Sequence, residues 1–129
     1  MIDAAEYCRR LVLAQTAVAA LISTRCYART LDKQTPMPAV VVEQQPGGWT
    51  ENDLQERYFT VTCWGETYDA AHAVYGALSD ALEAVGADRQ TVNSKRLVGI
   101  TCEPQGGPQF DEDLERHYAR ATVRFVMTT

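Results

Sequence analysis

The sequence lacks the excess of basic residues with which proteins grip nucleic acid. Its 129 residues contain 12 Lys and Arg against 17 Asp and Glu, which gives a net charge of −5. Binding to a phosphate backbone gains much of its free energy from Lys and Arg side chains that release counterions. Direct nucleic-acid binding is therefore not predicted as a function of this chain.

The sequence also lacks the spacing of a metal site. Cys8, Cys26, Cys63 and Cys102 form no C-x-x-C pair, and no histidine lies close to any of them in the chain. The chain is not cysteine-dense and no secretory leader is recognisable, so we expect free thiols in a reducing cytoplasm. Neither a metal nor a cofactor is predicted.

Long apolar runs are missing as well. The segment LVLAQTAVAALI, residues 11–22, is interrupted by Gln15 and Thr16 and falls short of the roughly 20 apolar residues that cross a bilayer. No membrane segment is expected. Apolar residues make up 46% and charged residues 22% of the chain, both near the globular average, so we expect one folded soluble domain over residues 1–129.

Hydrophobic periodicity predicts two helices. The first spans residues 3–22, with Asp3 as its N-cap and an apolar stripe of Tyr7, Leu11, Ala14, Val18 and Leu21. The second begins after an N-cap at Thr67 and ends near Gly86. Its predicted buried stripe consists of Ala71, Val74, Leu78, Ala81, Leu82 and Val85.

Extended and alternating apolar patterns predict the strands, which cover residues 24–28, 39–44, 57–64, 95–103 and 116–127. In the third strand Phe59, Val61 and Cys63 face one way. In the last strand a core face of Ala119, Ala121, Val123, Phe125 and Met127 alternates with Tyr118, Arg120, Thr122 and Arg124. The order α-β-β-β-α-β-β predicts an α+β fold with an antiparallel sheet of four to five strands and two helices packed on one face.

The junction FTVTCWGETYDAAHAVYGAL, residues 59–78, runs from a strand through one glycine into the second helix. The N-terminus of a helix can bind a phosphate, because it presents free N–H groups and the positive end of the dipole. A phosphate loop needs several glycines, however, and here Glu66 and Asp69 would repel an anion. The junction is therefore predicted to serve the fold.

Catalytic chemistry is not indicated either. His72 and His117, the two histidines, have no recognisable nucleophile or orienting partner in a motif. The acidic run DEDLE, residues 111–115, lacks the alternating ligands and the turn glycine of a calcium loop. The chain is predicted not to be an enzyme.

Two long predicted loops, residues 45–56 and 104–115, each carry one aromatic residue, Trp49 and Phe110 respectively. Loops of this length in a compact domain are usually functional or disordered, and aromatics are enriched at interface anchors. Protein–protein contact is one interpretation. The other is that both aromatics fold back and cover the edges of their own core; the sequence leaves both open.

Several segments together carry a family resemblance: a helix that ends in AVAALISTRCYA, a proline-led strand PAVVV, the strand FTVTCWGET, an alanine-rich helix and the last strand RATVRFVM. The combination resembles the tail terminator, or tail completion, proteins of long-tailed bacteriophages and gene transfer agents. The resemblance covers nearly the whole chain. In that family an aromatic often follows the strand-leading proline, whereas Ala39 follows Pro38 here.

The resemblance implies a structural virion protein, assembled in the bacterial host cytoplasm, at the tail end of the neck. It implies a homo-oligomeric ring, commonly sixfold, that caps the tail tube, stops its polymerisation and meets the head-side connector or stopper protein. DNA would pass through without specific binding, and no enzymatic activity, cofactor or membrane is involved. The candidate contact residues are Trp49, Asp53, Leu54, Phe110, Asp111, Glu112, Asp113, Arg120 and Arg124.

Two alternatives remain beside this interpretation. One is another neck or tail subunit, such as a stopper or tube protein. The other is a small cytoplasmic α+β ligand-binding module, which should place a convergent polar cluster on core-facing positions. The inward positions of the predicted strands are instead small or apolar.

We predict that all four cysteines are free thiols, because their scatter fits no disulfide framework. Titration of the denatured, unreduced protein with a thiol reagent should find all four. Two or fewer reactive thiols would contradict the prediction.

Overall fold

The computed structural model describes residues 4–28, 31–51, 53–88, 91–92, 95–105 and 109–128. Within them the helices are α1 (Ala4–Leu13), α2 (Thr16–Ile22) and α3 (Tyr68–Asp88). The strands are β1 (Cys26–Tyr27), β2 (Ala39–Gln45), β3 (Thr50–Glu51), β4 (Leu54–Gly65), β5 (Thr91–Val92), β6 (Lys95–Pro104), β7 (Gln109–Asp111) and β8 (Arg116–Thr128). The predicted α+β class is confirmed.

The sheet is larger than predicted and it is mixed. Its strands follow the order β1-β2-β4-β8-β6-β5, with β3 added to β4 and β7 added to β8. β1 pairs with β2 in parallel and the other pairs are antiparallel, so the expected purely antiparallel sheet of four to five strands is wrong. Strand direction has no signature in hydrophobic alternation, and strands of two or three residues are too short to show a period.

The three helices pack on one face of the sheet, where the main core lies. Phe59 and Phe125 stack with ring centroids 5.2 Å apart, and Tyr7 of α1 meets Phe125 edge-on at 5.7 Å. Burial raises the pKa of Tyr7 to about 12. The predicted inward faces of β4 and β8 are confirmed by the buried residues Phe59, Val61, Cys63, Ala121, Val123, Phe125 and Met127. Ala119, predicted on the same face, is half-buried. Each large side chain buried here contributes roughly 1.5–3 kcal/mol.

The predicted single helix over residues 3–22 is in fact two helices, broken at Gln15. The buried Gln15 side chain donates from Nε2 to the carbonyl of Leu11 at 3.0 Å, while its own carbonyl accepts from the N–H of Ala19 at 2.9 Å. One residue thus ends α1 and begins α2. The break shifts the apolar stripe, so Ala14 and Leu21 are exposed, whereas Cys8, Val12 and Ile22 are buried. The predicted N-cap Asp3 lies outside the described residues.

The two predicted long loops contain strand residues that the sequence pattern does not show. β2 extends to Gln45, β3 turns back onto β4, and β7 pairs with β8. Between β2 and β3, Gly47 and Gly48 have φ of 109° and 89°, and a Cβ on Gly48 would lie 2.2 Å from the carbonyl oxygen of Glu56. The segments look like loops in sequence because β3 and β7 have only two and three residues, which is too few to show an alternating pattern.

The junction between β4 and α3 has the predicted cap. The N–H of Ala70 donates to Thr67 Oγ1 at 3.1 Å, and the N–H of Ala71 donates to the Thr67 carbonyl at 3.1 Å. A Cβ on Gly65 would approach the Ala71 nitrogen to 2.5 Å, so only glycine lets the helix start pack against the end of β4. The predicted end at Gly86 is wrong, since α3 continues to Asp88. The predicted stripe residue Val85 has its side chain outside the described part.

We predict that Gly65→Ala lowers the free energy of unfolding by about 1–3 kcal/mol, because its methyl group would overlap the first turn of α3. Gly76→Ala is the matched control: a Cβ there meets nothing within 4 Å, and alanine in a helix interior stabilises by about 0.5–1 kcal/mol. Urea unfolding of both variants measures the effects. Equal stability of the two variants would contradict the close-packing account of Gly65.

Candidate assembly surfaces

The structure divides the nine predicted contact residues among three places along the central ladder of β4 and β8. This ladder runs from the pair Leu54–Thr128 to the pair Gly65–His117. We call its first end the hairpin end, which carries Trp49, Asp53 and Leu54. We call its other end the turn end, which carries Phe110, Asp111, Glu112 and Asp113. Arg120 and Arg124 lie between the ends on the sheet face opposite the main core, which we call the open face.

At the hairpin end the backbone is fixed while the indole of Trp49 stays in solvent. The Trp49 carbonyl accepts from the N–H of Glu56 at 2.7 Å and from Arg57 Nη1 at 3.0 Å. The Trp49 side chain is 42% exposed. Trp49 belongs to neither apolar cluster of the described residues, which favours the interpretation as a contact residue. Asp53 is exposed and Leu54 is half-buried.

At the turn end Phe110 is 51% exposed and lies against the ring of His117, with centroids 4.9 Å apart. Asp111 Oδ1 accepts from the N–H of Leu114 at 2.9 Å, which closes the turn into β8. Glu112 and Asp113 are exposed. The acidic run therefore shapes a turn, and no group of three or more His, Cys, Asp or Glu among the described residues could hold a metal.

The two ends are well separated. Trp49 is anchored at Glu56, Phe110 pairs with His117, and His117 pairs with Gly65. At about 3.4 Å per residue, the nine steps along β4 from residue 56 to residue 65 span roughly 30 Å. The sequence suggested two comparable aromatic loops but could not show that they lie at opposite ends of one ladder.

The open face is organised by an ion pair between Glu56 and Arg124. Arg124 donates to Glu56 Oε2 from Nε at 2.6 Å and lies 2.5 Å from it through Nη2. The Glu56 side chain is 8% exposed and that of Arg124 is 38% exposed. The hydrogen bond to Glu56 raises the pKa of Arg124, so the guanidinium stays charged. Sequence reasoning missed Glu56 because it placed this residue in a loop.

The neighbouring arginine on β8 is held less tightly. Arg120 donates from Nε to Thr62 Oγ1 at 3.2 Å, and its guanidinium lies 5.0 Å from the ring centre of Tyr118. Both arginines are thus positioned by β4, which aligns them on one face. The predicted outward alternation of Tyr118, Arg120, Thr122 and Arg124 is confirmed.

A second apolar cluster covers the open face near the turn end. It consists of Leu31, Ala39, Val41 and Trp64, with the Trp64 ring 4.8 Å from that of Tyr118. Trp64 Nε1 is buried and has no hydrogen-bond partner within the described residues. The part toward the hairpin end remains a shallow depression of about 260 Å³ lined by Tyr58, Thr101, Glu103, Thr122 and Arg124.

The side chains considered for catalysis are not assembled into a reactive site. His72 is exposed on α3 and stacks between Tyr68 at 5.6 Å and Tyr75 at 6.4 Å. The cysteines are free; burial raises the pKa of Cys26 to about 12 and raises that of Cys102 as well. Such thiols are poor nucleophiles at neutral pH. No helix within the described ranges is long and apolar enough to cross a membrane.

Sequence reasoning also missed a groove of about 350 Å³ between α3 and β6. Leu82 and Glu83 of α3 line it, together with residues 100–103 of β6. The strand itself was predicted, but its position near the edge of the sheet depends on the order of pairing. No local sequence signal distinguishes an edge strand of this kind from a central one.

Comparison with known proteins gives a family and a fold. Residues 7–128 match the model of the family described as "Tail completion protein gp17". A chain from the solved structure "Virion of native gene transfer agent (GTA) particle" is similar in fold, with a TM-score of 0.64 and 22% sequence identity. The alignment covers 98% of this chain and 93% of that chain. The search of curated proteins gave no match.

We predict that Arg124→Met lowers the free energy of unfolding by about 1–2 kcal/mol, because it leaves the buried Glu56 carboxylate without its partner. The partial exposure of Arg124 keeps the effect below that of a fully buried pair. Arg120→Met, which loses one hydrogen bond to a hydroxyl, is the control and should cost less. Urea unfolding of Arg124→Met, Glu56→Gln and the double variant gives a double-mutant cycle. Additive losses in the free energy of unfolding would contradict a direct coupling between the two side chains.

Proposed function

The chain belongs to the tail completion protein gp17 family, and from that premise we propose that it caps the phage tail tube as a ring and joins it to the head-side connector. Family membership makes it a structural component of the virion tail. The proposed capping role has three parts: the protein forms a ring on the last layer of the tube, it stops tube polymerisation, and it presents a surface to the connector or stopper protein.

The observation that supports this role best is the placement of exposed aromatics at opposite ends of a rigid ladder. A joint between two different partners needs two separate contact surfaces, and Trp49 and Phe110 provide an anchor at each end. Aromatics are enriched among the residues that dominate binding energy at interfaces. Both are fixed through backbone pairing to β4 or β8, so little conformational entropy is lost when either is covered.

The charge distribution fits passage of DNA without specific binding. The chain carries a net charge of −5. On the open face, Arg124 is neutralised by Glu56, and the charge of Arg120 is outnumbered by the carboxylates of Glu43 and Glu103, which are exposed on neighbouring strands. A lumen lined by such a surface would gain little from counterion release, so DNA could slide through it.

Oligomer size and tube capping test the proposal together. The purified protein should form a discrete ring, commonly sixfold in this type of protein, and addition of the ring to growing tail tubes should stop their elongation. A stopper would bind the connector but leave tube growth unchanged, and a tube protein would itself extend into filaments. A monomer that neither caps tubes nor binds the connector would overturn the proposal and favour a ligand-binding module.

We predict that Trp49→Ser and Phe110→Ser leave the fold intact but each weakens a different contact. Loss of an interface anchor of this kind can cost about 2 kcal/mol or more, which corresponds to over tenfold in affinity. Circular dichroism melting checks the fold, and pull-down with tube and connector proteins checks the two contacts. The prediction fails if both substitutions weaken the same partner, or if Trp49→Ser unfolds the monomer.

A further inference from the structure

The outer edge of β6 offers a short stretch on which another strand can pair. β5 covers only the first two residues of β6, and no described residue pairs with the outer side of residues 97–104. At one end of this stretch a bulge leaves Val98 without a partner on β8. At the other end Pro104 has no N–H. A bulge and a proline both hinder the addition of a strand, so the usable edge is residues 99–103.

The ladder with β8 decides which backbone groups of this edge point outward. The N–H of Gln105 donates to the carbonyl of Arg120 at 2.9 Å, so these two residues form a hydrogen-bonded pair. Bonded and non-bonded pairs alternate along an antiparallel ladder. Thr101 therefore bonds to β8, whereas Ile100 and Cys102 direct their N–H and C=O groups outward. These four groups have no backbone partner among the described residues.

The usable edge is symmetric about Thr101. Val98 and Pro104, which limit it, each lie three residues from Thr101, and the outward-facing Ile100 and Cys102 each lie one residue from it. An identical strand, antiparallel about a twofold axis at Thr101, places Ile100 of each copy opposite Cys102 of the other. All eight outward groups are then joined in four hydrogen bonds. A strand of another protein would have to reproduce both limits, whereas a second copy carries them by identity.

Neighbouring positions of the axis fit less well. With the axis at Cys102, Pro104 would have to donate the hydrogen bond that it lacks. With the axis at Ile100, the bulge at Val98 would have to pair with Cys102 of the other copy. The backbone therefore favours one register, the one centred on Thr101.

The side chains also match in this register. On the face toward the helices, Ile100 meets Cys102 of the other copy; both are half-buried and pack against the main core. They also line the groove between α3 and β6, so the grooves of the two copies lie side by side across the axis. On the open face Thr101 meets the same residue of the other copy, and Thr–Thr pairs across strands are favourable.

Charge does not block this pairing. Glu103 lies opposite Gly99 of the other copy, so the ladder brings no two carboxylates directly together. Glu83 of α3 lines the groove in each copy and is exposed. Repulsion between the two Glu83 side chains is therefore screened by water and salt.

We propose that two copies of this chain pair through residues 99–103 of β6, antiparallel about a twofold axis at Thr101, and so form one continuous sheet. The contact is isologous and closes after two copies. It is therefore distinct from the heterologous contacts that build a ring, and it goes beyond the proposed function. The dimer covers a strand edge on which further strands could otherwise add without limit.

Cysteine cross-linking at the axis tests the register. Residues in a pair without direct hydrogen bonds have Cα atoms about 4.5 Å apart, which is within the range of a disulfide. Thr101→Cys should therefore form a covalent dimer under mild oxidation. Glu103→Cys is the matched control: it is exposed on the same face, but the two copies of this residue lie about 14 Å apart along the strands.

The rates of covalent dimer formation decide the outcome. Thr101→Cys should cross-link at least tenfold faster than Glu103→Cys, and the four native cysteines are common to both variants. Equal rates would overturn the proposal. If the unaltered protein forms rings and the two rates are equal, the proposed function stands and only this inference fails.

A charge at the axis tests the contact in solution. Thr101→Lys places two ammonium groups opposite each other and should raise the dissociation constant of the dimer about fivefold or more. Thr101→Val has no charge at the same position and should leave the dimer in place. Sedimentation velocity over a concentration series measures the dimer, and circular dichroism melting confirms the fold. Equal dissociation constants for the two variants, or an unaltered protein that stays monomeric, would overturn the proposal.

Discussion

The pairing of β4 with β8 is the constraint on which the rest of the molecule depends. Twelve registered pairs join Leu54–Gly65 to His117–Thr128. Register in such a ladder fixes which side chains share a face, because a slip of one residue would turn every side chain to the other side. The same twelve pairs set Phe59 over Phe125 in the core and Glu56 beside Arg124 on the open face. Packing and surface chemistry are thus consequences of one alignment.

The ladder also determines where the exposed aromatics and the edges of the sheet lie. Its two ends carry the exposed aromatics, its inner face is covered by three helices, and the strands beside it end in two edges of different character. At the β1 edge, the N–H of Cys26 donates to the carbonyl of Thr24 and the carbonyl of Cys26 accepts from Arg9 Nε. At the other edge, no described residue pairs with the outer side of β6 beyond Arg96. The two faces of the sheet and its two edges therefore differ from one another.

Glycine and proline positions show how the fold accommodates this arrangement. Gly65 allows α3 to begin in contact with the end of β4. Gly48 lies so close to β4 that a Cβ on it would overlap the carbonyl oxygen of Glu56. Pro104 ends the exposed edge of β6. These positions are local in sequence, but their reasons are contacts with residues that lie several positions or a whole element away.

Periodicity, capping and composition are local properties, so the sequence alone predicts the α+β class, the core faces of β4 and β8, the Thr67 cap and the family resemblance. Tertiary structure decided the break at Gln15, the parallel β1, the pairing of β3 and β7, and the separation of Trp49 from Phe110. It also decided that Glu56, 68 residues before Arg124 in the chain, would become its buried partner. Partners at such distances are chosen by strand order and register, for which a single sequence carries no local signal.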